Sequence, residues 1–266
     1  MLDSLAPARR RLALVVLGLA AVAVVVVAAA IVVPRLGGSG DPVHPVRQDA
    51  QPPVLLVPGY GGGTAGLEVM ASALRREGRV VTVVHLAGDG TGDLGVQAAV
   101  LQRAVRRTGS SSVDVVGYSA GGVTVRLWVS RYDGASVARR IVTLGSPQHG
   151  TDLAALAHDL APGECPVACR QLATDSDLLR GLNDGDETPD GPRWVSIWTT
   201  DDAISTPPST ASLAGALDFS VQQVCPGTTV SHGQLPETPA VIGMVEAQLR
   251  RTLPAVPGRD VCDVRD

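Results

Sequence analysis

The chain reads as an α/β protein, a mostly parallel sheet of apolar strands with helices on both faces, preceded by an N-terminal transmembrane helix. Three observations predict the sheet. Short aliphatic runs alternate with longer stretches at helical spacing from Val54 to Leu253. The runs Val54-Leu55-Leu56-Val57, Val80-Val81-Thr82-Val83-Val84 and Ile141-Val142-Thr143-Leu144 are nearly all apolar rather than apolar at every second residue. That is the mark of strands covered on both faces. The strand Ser112-Val113-Asp114-Val115-Val116 also runs through Gly117-Tyr118-Ser119-Ala120-Gly121 directly into a helical pattern.

The elements follow in order. Arg9-Arg10-Arg11 precede an unbroken apolar stretch from Leu12 to Val33. As a helix of about 22 residues it would rise roughly 33 Å, the thickness of a bilayer's hydrocarbon. Flanking arginines leave residues 1–11 cytoplasmic and carry everything after Pro34 across the membrane. The expected reading of 12–33 is a signal-anchor in the cell membrane. A cleaved signal peptide is the competitor, with Ala28-Ala29-Ala30 as a small-residue cleavage site and secretion as its consequence. Residues 34–53, rich in Gly, Pro and polar side chains, read as a flexible tether.

Residues 54–266 read as one domain. After the Val54 strand come a glycine loop, an amphipathic stretch from about Leu67 to Glu77, the Val80 strand and helical spacing from about Leu94 to Arg107. The Val113 strand, a helix carrying Val123, Val125, Leu127, Trp128 and Val129, and the Ile141 strand continue the rhythm. Residues 152–192 break it with Pro, Gly, Asp and two cysteines around weakly helical patches at Leu153–Leu160 and Leu178–Leu182, an insertion over the sheet's edge. Trp194–Trp198 and Phe219–Val224 read as strands and Ala240–Leu253 as a closing helix.

Composition bounds the function. A hydrophobic share of 45% is ample for a core. A net charge of -4, with no dense basic run outside the N-terminus, offers no footprint for nucleic acid. Cys165, Cys169, Cys225 and Cys262 all lie in the exported part, where disulfides persist. Of the three possible pairings, the short Cys165 to Cys169 loop and the long Cys225 to Cys262 closure are the most natural. No histidine stands at zinc-ligand spacing to them, so neither metal nor cofactor is implied.

Gly117-Tyr118-Ser119-Ala120-Gly121 makes Ser119 the candidate nucleophile. Gly117 and Gly121 tolerate the crowding of a sharp elbow that lifts a hydroxyl above the sheet. An activated serine needs a base, and the base needs an orienting carboxylate, in the chain order Ser, acid, His. His44, His85, His149 and His158 come too early. His232, in Val230-Ser231-His232-Gly233 before the last helix, is the base the order permits. The acid belongs just past the Trp194 strand, where Asp201 and Asp202 compete, with Asp218 a third candidate. Backbone N–H groups for a developing oxyanion are expected from Ala120 and from Tyr60 in Pro58-Gly59-Tyr60-Gly61-Gly62-Gly63. That loop lacks the Gly-Lys-Ser/Thr of a phosphate cradle, which sets nucleotide binding aside.

On these residues, and on Leu144-Gly145-Ser146-Pro147-Gln148-His149-Gly150-Thr151, the chain from about 53 to 253 resembles the lipase and esterase branch of the α/β-hydrolase superfamily, particularly small bacterial triacylglycerol lipases. The resemblance implies an α/β-hydrolase fold with about six strands. It ranks Asp202 first among the acids, within Ser196-Ile197-Trp198-Thr199-Thr200-Asp201-Asp202-Ala203-Ile204, and gives His149 a structural or pocket-lining place. It implies an ester substrate, with lipid esters first. The sequence departs from the family at Pro58, where histidine is common, and in its longer insertion and membrane segment. Pro58 leaves the oxyanion N–H intact, since that comes from the residue two further on, but the insertion leaves open whether 152–192 is a lid.

The expected activity is hydrolysis of carboxylic esters through an acyl-enzyme. Two alternatives stand beside it: acyl transfer to an acceptor other than water by the same triad, and a catalytically silent membrane-anchored scaffold that binds a partner.

Overall fold

The structure, a computed structural model, describes residues 46–263. The segment 12–33 expected to span a membrane, its cytoplasmic flank 1–11 and the first part of the tether lie outside the described residues. Among the described residues no helix is long and apolar enough to cross a membrane.

Six strands form one sheet: β1 (Val54–Val57), β2 (Val81–Val83), β3 (Val113–Tyr118), β4 (Ala138–Leu144), β5 (Arg193–Trp198) and β6 (Leu217–Ser220). Their order is β2-β1-β3-β4-β5-β6, and every neighbouring pair is parallel. Parallel neighbours require crossovers, which is why each strand is followed by helix or long loop. The order reverses between β1 and β3, so the loops leaving these two strands diverge and open a crevice at their C-terminal ends. The register Val57↔Gly117 places the Pro58–Gly63 loop beside the Ser119 elbow.

Alternation along β1 explains its apolar run. Val54 and Leu56 join one core layer, with Leu67, Met70 and Leu74 of α1 (Ala65–Arg76) and Val241, Met244 and Val245 of α8 (Pro239–Leu249). Leu55 and Val57 join the other, with Leu94, Ala98 and Leu101 of α2 (Leu94–Thr108) and Val123, Leu127 and Trp128 of α3 (Ala120–Tyr132). Each such aliphatic side chain, fully buried, contributes roughly 1.5–3 kcal/mol. The N-cap of α2 is Asp93, whose carboxylate accepts the Val96 N–H at 3.1 Å, and Gly109 ends that helix at φ 63°. In α3 every residue from Ala120 to Val129 is buried, as expected of a helix packed between sheet, α2 and the insertion.

The insertion 152–192 carries α4 (Asp152–Leu160), α5 (Val167–Gln171) and α6 (Asp177–Asn183). The short α5 escapes sequence periodicity. A Cys165–Cys169 disulfide spans its first turn. Gln171 fastens it to the N-terminus of α2 through Asp93 at 2.7 Å and the Leu94 N–H at 2.8 Å.

Several boundaries differ from the sequence reading. The strand expected over Phe219–Val224 gives way at Ser220, whose hydroxyl accepts the Gln223 N–H at 3.1 Å and turns the chain into the short helix α7 (Val221–Val224). The closing helix stops at Leu249 rather than Leu253, because Arg79 and Arg139 take the carbonyl of Leu249 and Arg139 that of Arg250. The tether predicted to swing freely to Pro53 is already docked from Gln48. The carbonyls of Gln48, Pro52 and Pro53 accept hydrogen bonds from Arg139, Arg79 and the Asp114 N–H, each at 2.9 Å. The Cys225–Cys262 disulfide pins the C-terminal segment to the end of α7.

Candidate active site

Ser119 follows the last residue of β3 and precedes the first of α3, at φ 55° and ψ -129°. A residue with a Cβ is held there at a cost of about 1–3 kcal/mol, sustained only when its surroundings over-determine it. Here the Ser119 N–H donates to Leu144 O at 2.8 Å, and the flanking glycines let three backbones close in. A Cβ on Gly117 would lie 2.7 Å from Gly122 Cα, and one on Gly121 would lie 2.3 Å from Val57 O. The elbow therefore needs hydrogen at both positions.

The structure brings Ser119, His232 and Asp202 into one hydrogen-bonded chain. His232 Nε2 lies 2.9 Å from Ser119 Oγ, and Nδ1 lies 2.7 Å from Asp202 Oδ2. Both distances fall within reach of proton transfer. A carboxylate can only accept, so the ring proton sits on Nδ1 and the Nε2 lone pair faces the serine hydroxyl. The other oxygen of Asp202 accepts the N–H groups of Ile204 at 2.9 Å and Ser205 at 2.8 Å, which stops the carboxylate from rotating. All three side chains are at most 9% exposed, so water screens the relay poorly.

Gly145 makes that approach possible, and sequence reasoning assigns it no role. Its φ is 52°, and a Cβ there would lie 2.5 Å from Leu235, 3.1 Å from Asp202 Oδ2 and 3.4 Å from His232 Nδ1. The signal is present in Leu144-Gly145-Ser146, a glycine directly at a strand end, but it marks a contact only when the distant Asp and His are placed. Asp201 points away from the ring, and its carboxylate accepts the Val230 N–H at 3.0 Å. Asp218 accepts from Ser212 at 3.0 Å and stands outside the relay. The His149 ring faces Glu187 at 2.7 Å and Thr210 O at 3.3 Å, not the serine.

The oxyanion candidates flank Ser119. Ala120 is the first residue of α3, where N–H groups have no intrahelical partner. Among the described residues, neither its N–H nor that of Tyr60 donates to a protein acceptor. The Tyr60 loop reaches Ser119 because Gly59 lacks a side chain, since a Cβ there would lie 2.8 Å from Ser119 Cβ and 3.3 Å from its Oγ. Tyr118 packs its ring 5.3 Å from that of His232 and donates its hydroxyl to His232 O at 3.1 Å. Burial, with Asp202 and Glu237 adding to it, pushes the Tyr118 phenol up to about 12, so it stays a neutral donor. Among the described residues no group of three or more His, Cys, Asp or Glu side chains is placed to hold a metal ion. The four cysteines form the Cys165–Cys169 and Cys225–Cys262 disulfides. A surface cleft of about 510 Å³ lined by Asp186, Arg193, Trp194 and Leu217 holds none of the relay residues.

Comparison with known proteins agrees with this architecture. Residues 52–161, from the residues before β1 through the insertion's first helix, match the family described as the alpha/beta hydrolase fold. The mature lipase BlEst2 of Bacillus licheniformis superposes with a TM-score of 0.61 at 20% identity, over 79% of this chain and 96% of that one. One of the metagenome-derived lipolytic enzymes LipS and LipT gives 0.59 at 14% identity, over 76% and 95%. MGS-MChE2, an alpha/beta hydrolase from a lagoon-sediment metagenome, gives 0.53 at 17% identity, over 74% and 89%. Among curated proteins none matches the sequence. The parallel sheet, the elbow and the family match over residues 52–161 together show an α/β-hydrolase fold.

Proposed function

We propose that the protein is a serine ester hydrolase that cleaves carboxylic esters, lipid esters foremost, through an acyl-enzyme. The observation that carries this reading is the continuous Asp202–His232–Ser119 chain at 2.7 and 2.9 Å, presented on a strained elbow. Ser119 Oγ attacks the ester carbonyl while His232 Nε2 takes its proton, and the imidazolium is held by Asp202. The carbonyl oxygen, now negative, receives the N–H groups of Tyr60 and Ala120. Collapse expels the alcohol, which takes the proton from His232. Water, deprotonated by the same base, then attacks the acyl-serine and frees the acid.

Lipid esters are favoured by two things. The structural likenesses include a lipase and a lipolytic enzyme. The insertion helix α4 also turns Ala154 inward and leaves Leu153, Leu156 and Leu160 exposed, an apolar stripe at helical spacing. That helix adjoins the acid loop, since Asp152 N–H donates to Thr206 O at 2.9 Å. We place the domain outside the cytoplasmic membrane, held by the apolar segment 12–33.

Hydrolysis of p-nitrophenyl esters of increasing chain length, by the detergent-solubilised full chain, tests the activity. Ser119→Ala and His232→Ala are expected to lower kcat by at least about 10⁴-fold, and Asp202→Asn by about 10⁴-fold. Product analysis with an added alcohol separates hydrolysis from acyl transfer. Undiminished turnover in Ser119→Ala, or none in the parent chain, sinks the proposal. For the anchor, the mass of the native protein decides: a mature N-terminus at or after Ala30 rejects it.

A further inference from the structure

Part of what holds the base lies outside its own loop. His232 follows Val230, and both backbone groups of Val230 are gripped by the acid loop. The Thr199 hydroxyl donates to Val230 O at 2.7 Å, and the Val230 N–H donates to Asp201 Oδ2 at 3.0 Å. Gln222, on α7, joins these two anchors. Its amide nitrogen lies 2.9 Å from Thr199 Oγ1, 3.1 Å from Asp201 Oδ2 and 3.2 Å from Thr228 O, and its oxygen accepts the Thr200 N–H at 3.0 Å. One side chain thus ties the loop bearing Asp202 to the loop bearing His232.

We propose that Gln222, with Asp201 and Thr199, is a positioning clamp that sets the distance between His232 and Asp202. The inference rests on the triad reading above. Nothing in the clamp touches the serine, so its effect passes through the imidazole. The two adjacent aspartates then divide the work. Asp202 orients the ring, and Asp201 fixes the backbone two residues before it. The remaining support for the base comes from elsewhere. Tyr118 holds His232 O, and a capping box between Ser231 and Gln234 closes the turn.

A misplacement of a reacting group by about 1 Å can lower a rate by about 100-fold. The test compares Gln222→Ala and Asp201→Ala with the parent chain on a p-nitrophenyl ester. Turnover is expressed per serine titrated by a fluorophosphonate. The clamp predicts kcat per titrated serine lowered between about 10- and 100-fold, with KM nearly unchanged. It also predicts that the double variant is no worse than the weaker single, because the two residues act through one contact network. Gln222→Glu, which keeps the shape but turns an acceptor toward Asp201, should fall at least as far as Gln222→Ala. A merely structural residue would reduce the number of titratable serines and leave turnover per serine intact. That result, or fully additive losses, overturns the clamp. Ser119→Ala alongside keeps the two readings apart: turnover surviving in it overturns the triad and the clamp together, whereas turnover lost there but undiminished per serine in both clamp variants overturns the clamp alone.

Discussion

Glycines clear the ground around Ser119 in different ways: Gly117 and Gly121 let the backbones of the elbow close in, and Gly145 lets Asp202 and His232 approach. Gly59 faces Ser119 itself. Its missing Cβ would stand 2.8 Å from Ser119 Cβ, so Gly59→Ala must push either the serine or the Tyr60 loop aside. Because Gly59 is not at positive φ, backbone strain is not added, and the fold should survive. The expected result is a loss in kcat of about 10- to 100-fold with a nearly unchanged melting temperature, read from ester turnover and thermal unfolding of the same sample. Tyr118 makes a different prediction. Its phenol is raised from 10.0 to about 12 by burial and by the negative charges of Asp202 and Glu237, so the folded state favours the neutral form. A raised acid contributes stability that is complete below its unfolded value and is lost as pH climbs through its folded one. Between pH 10 and 12 the parent chain should therefore lose stability relative to Tyr118→Phe, and unfolding midpoints of the two compared across that window check it. Parallel curves would refute the assignment.

At the scale of elements, the insertion has no core of its own: Ala154, Ala168, Leu172 and Leu179 join the layer of α2 and α3, and polar contacts fasten its edge. Asp93 serves two of them, capping α2 through Val96 and accepting Gln171 of α5. Asp93→Ala removes both, and about 1–2 kcal/mol of stability is expected to go with them, measured as a shift in the urea midpoint. Asp93→Asn, which keeps the cap acceptor but turns an amide donor toward Gln171, should recover only part of it. The same elements show what a sequence can and cannot disclose. The β3 elbow is legible because strand, turn and helix are contiguous in sequence, and His232 because chain order leaves it no rival. The apolar run Phe219–Val224 misleads because its periodicity suits strand and helix equally, and the Ser220 cap that decides is a single hydroxyl. Asp201 and Asp202 are not separable by local pattern, since which of them meets the imidazole is set by contacts about 30 residues away along the chain. Gly145 and Gln222 are invisible for the same reason: their partners are distant in sequence.

Across the whole molecule, the end of the sheet opposite the serine is held by a buried charge cluster. Asp114 on β3 is fully buried and meets Arg139 of β4 through both carboxylate oxygens, at 2.8 and 2.6 Å, and Arg79 at 2.5 Å. The two arginines also donate to carbonyls of Gln48, Pro52, Leu249 and Arg250, and Arg79 Nε stays buried without a partner among the described residues. One carboxylate thereby organises the segment entering the domain, the middle of the sheet and the segment leaving the last helix. Replacing such a group by a smaller apolar one leaves its partners charged and buried, which destabilises by about 3–5 kcal/mol. A domain of ordinary stability has only about 5–15 kcal/mol to lose. Asp114→Ala should accordingly lower the urea midpoint steeply, whereas Asp114→Asn, which keeps an acceptor of the same shape, should fall less. Turnover per titrated serine should stay near the parent value under native conditions, because the relay lies at the other end of the strands. A large fall in that turnover with an unchanged urea midpoint would show that the cluster serves the active site, and that the two ends of the sheet are coupled rather than independent.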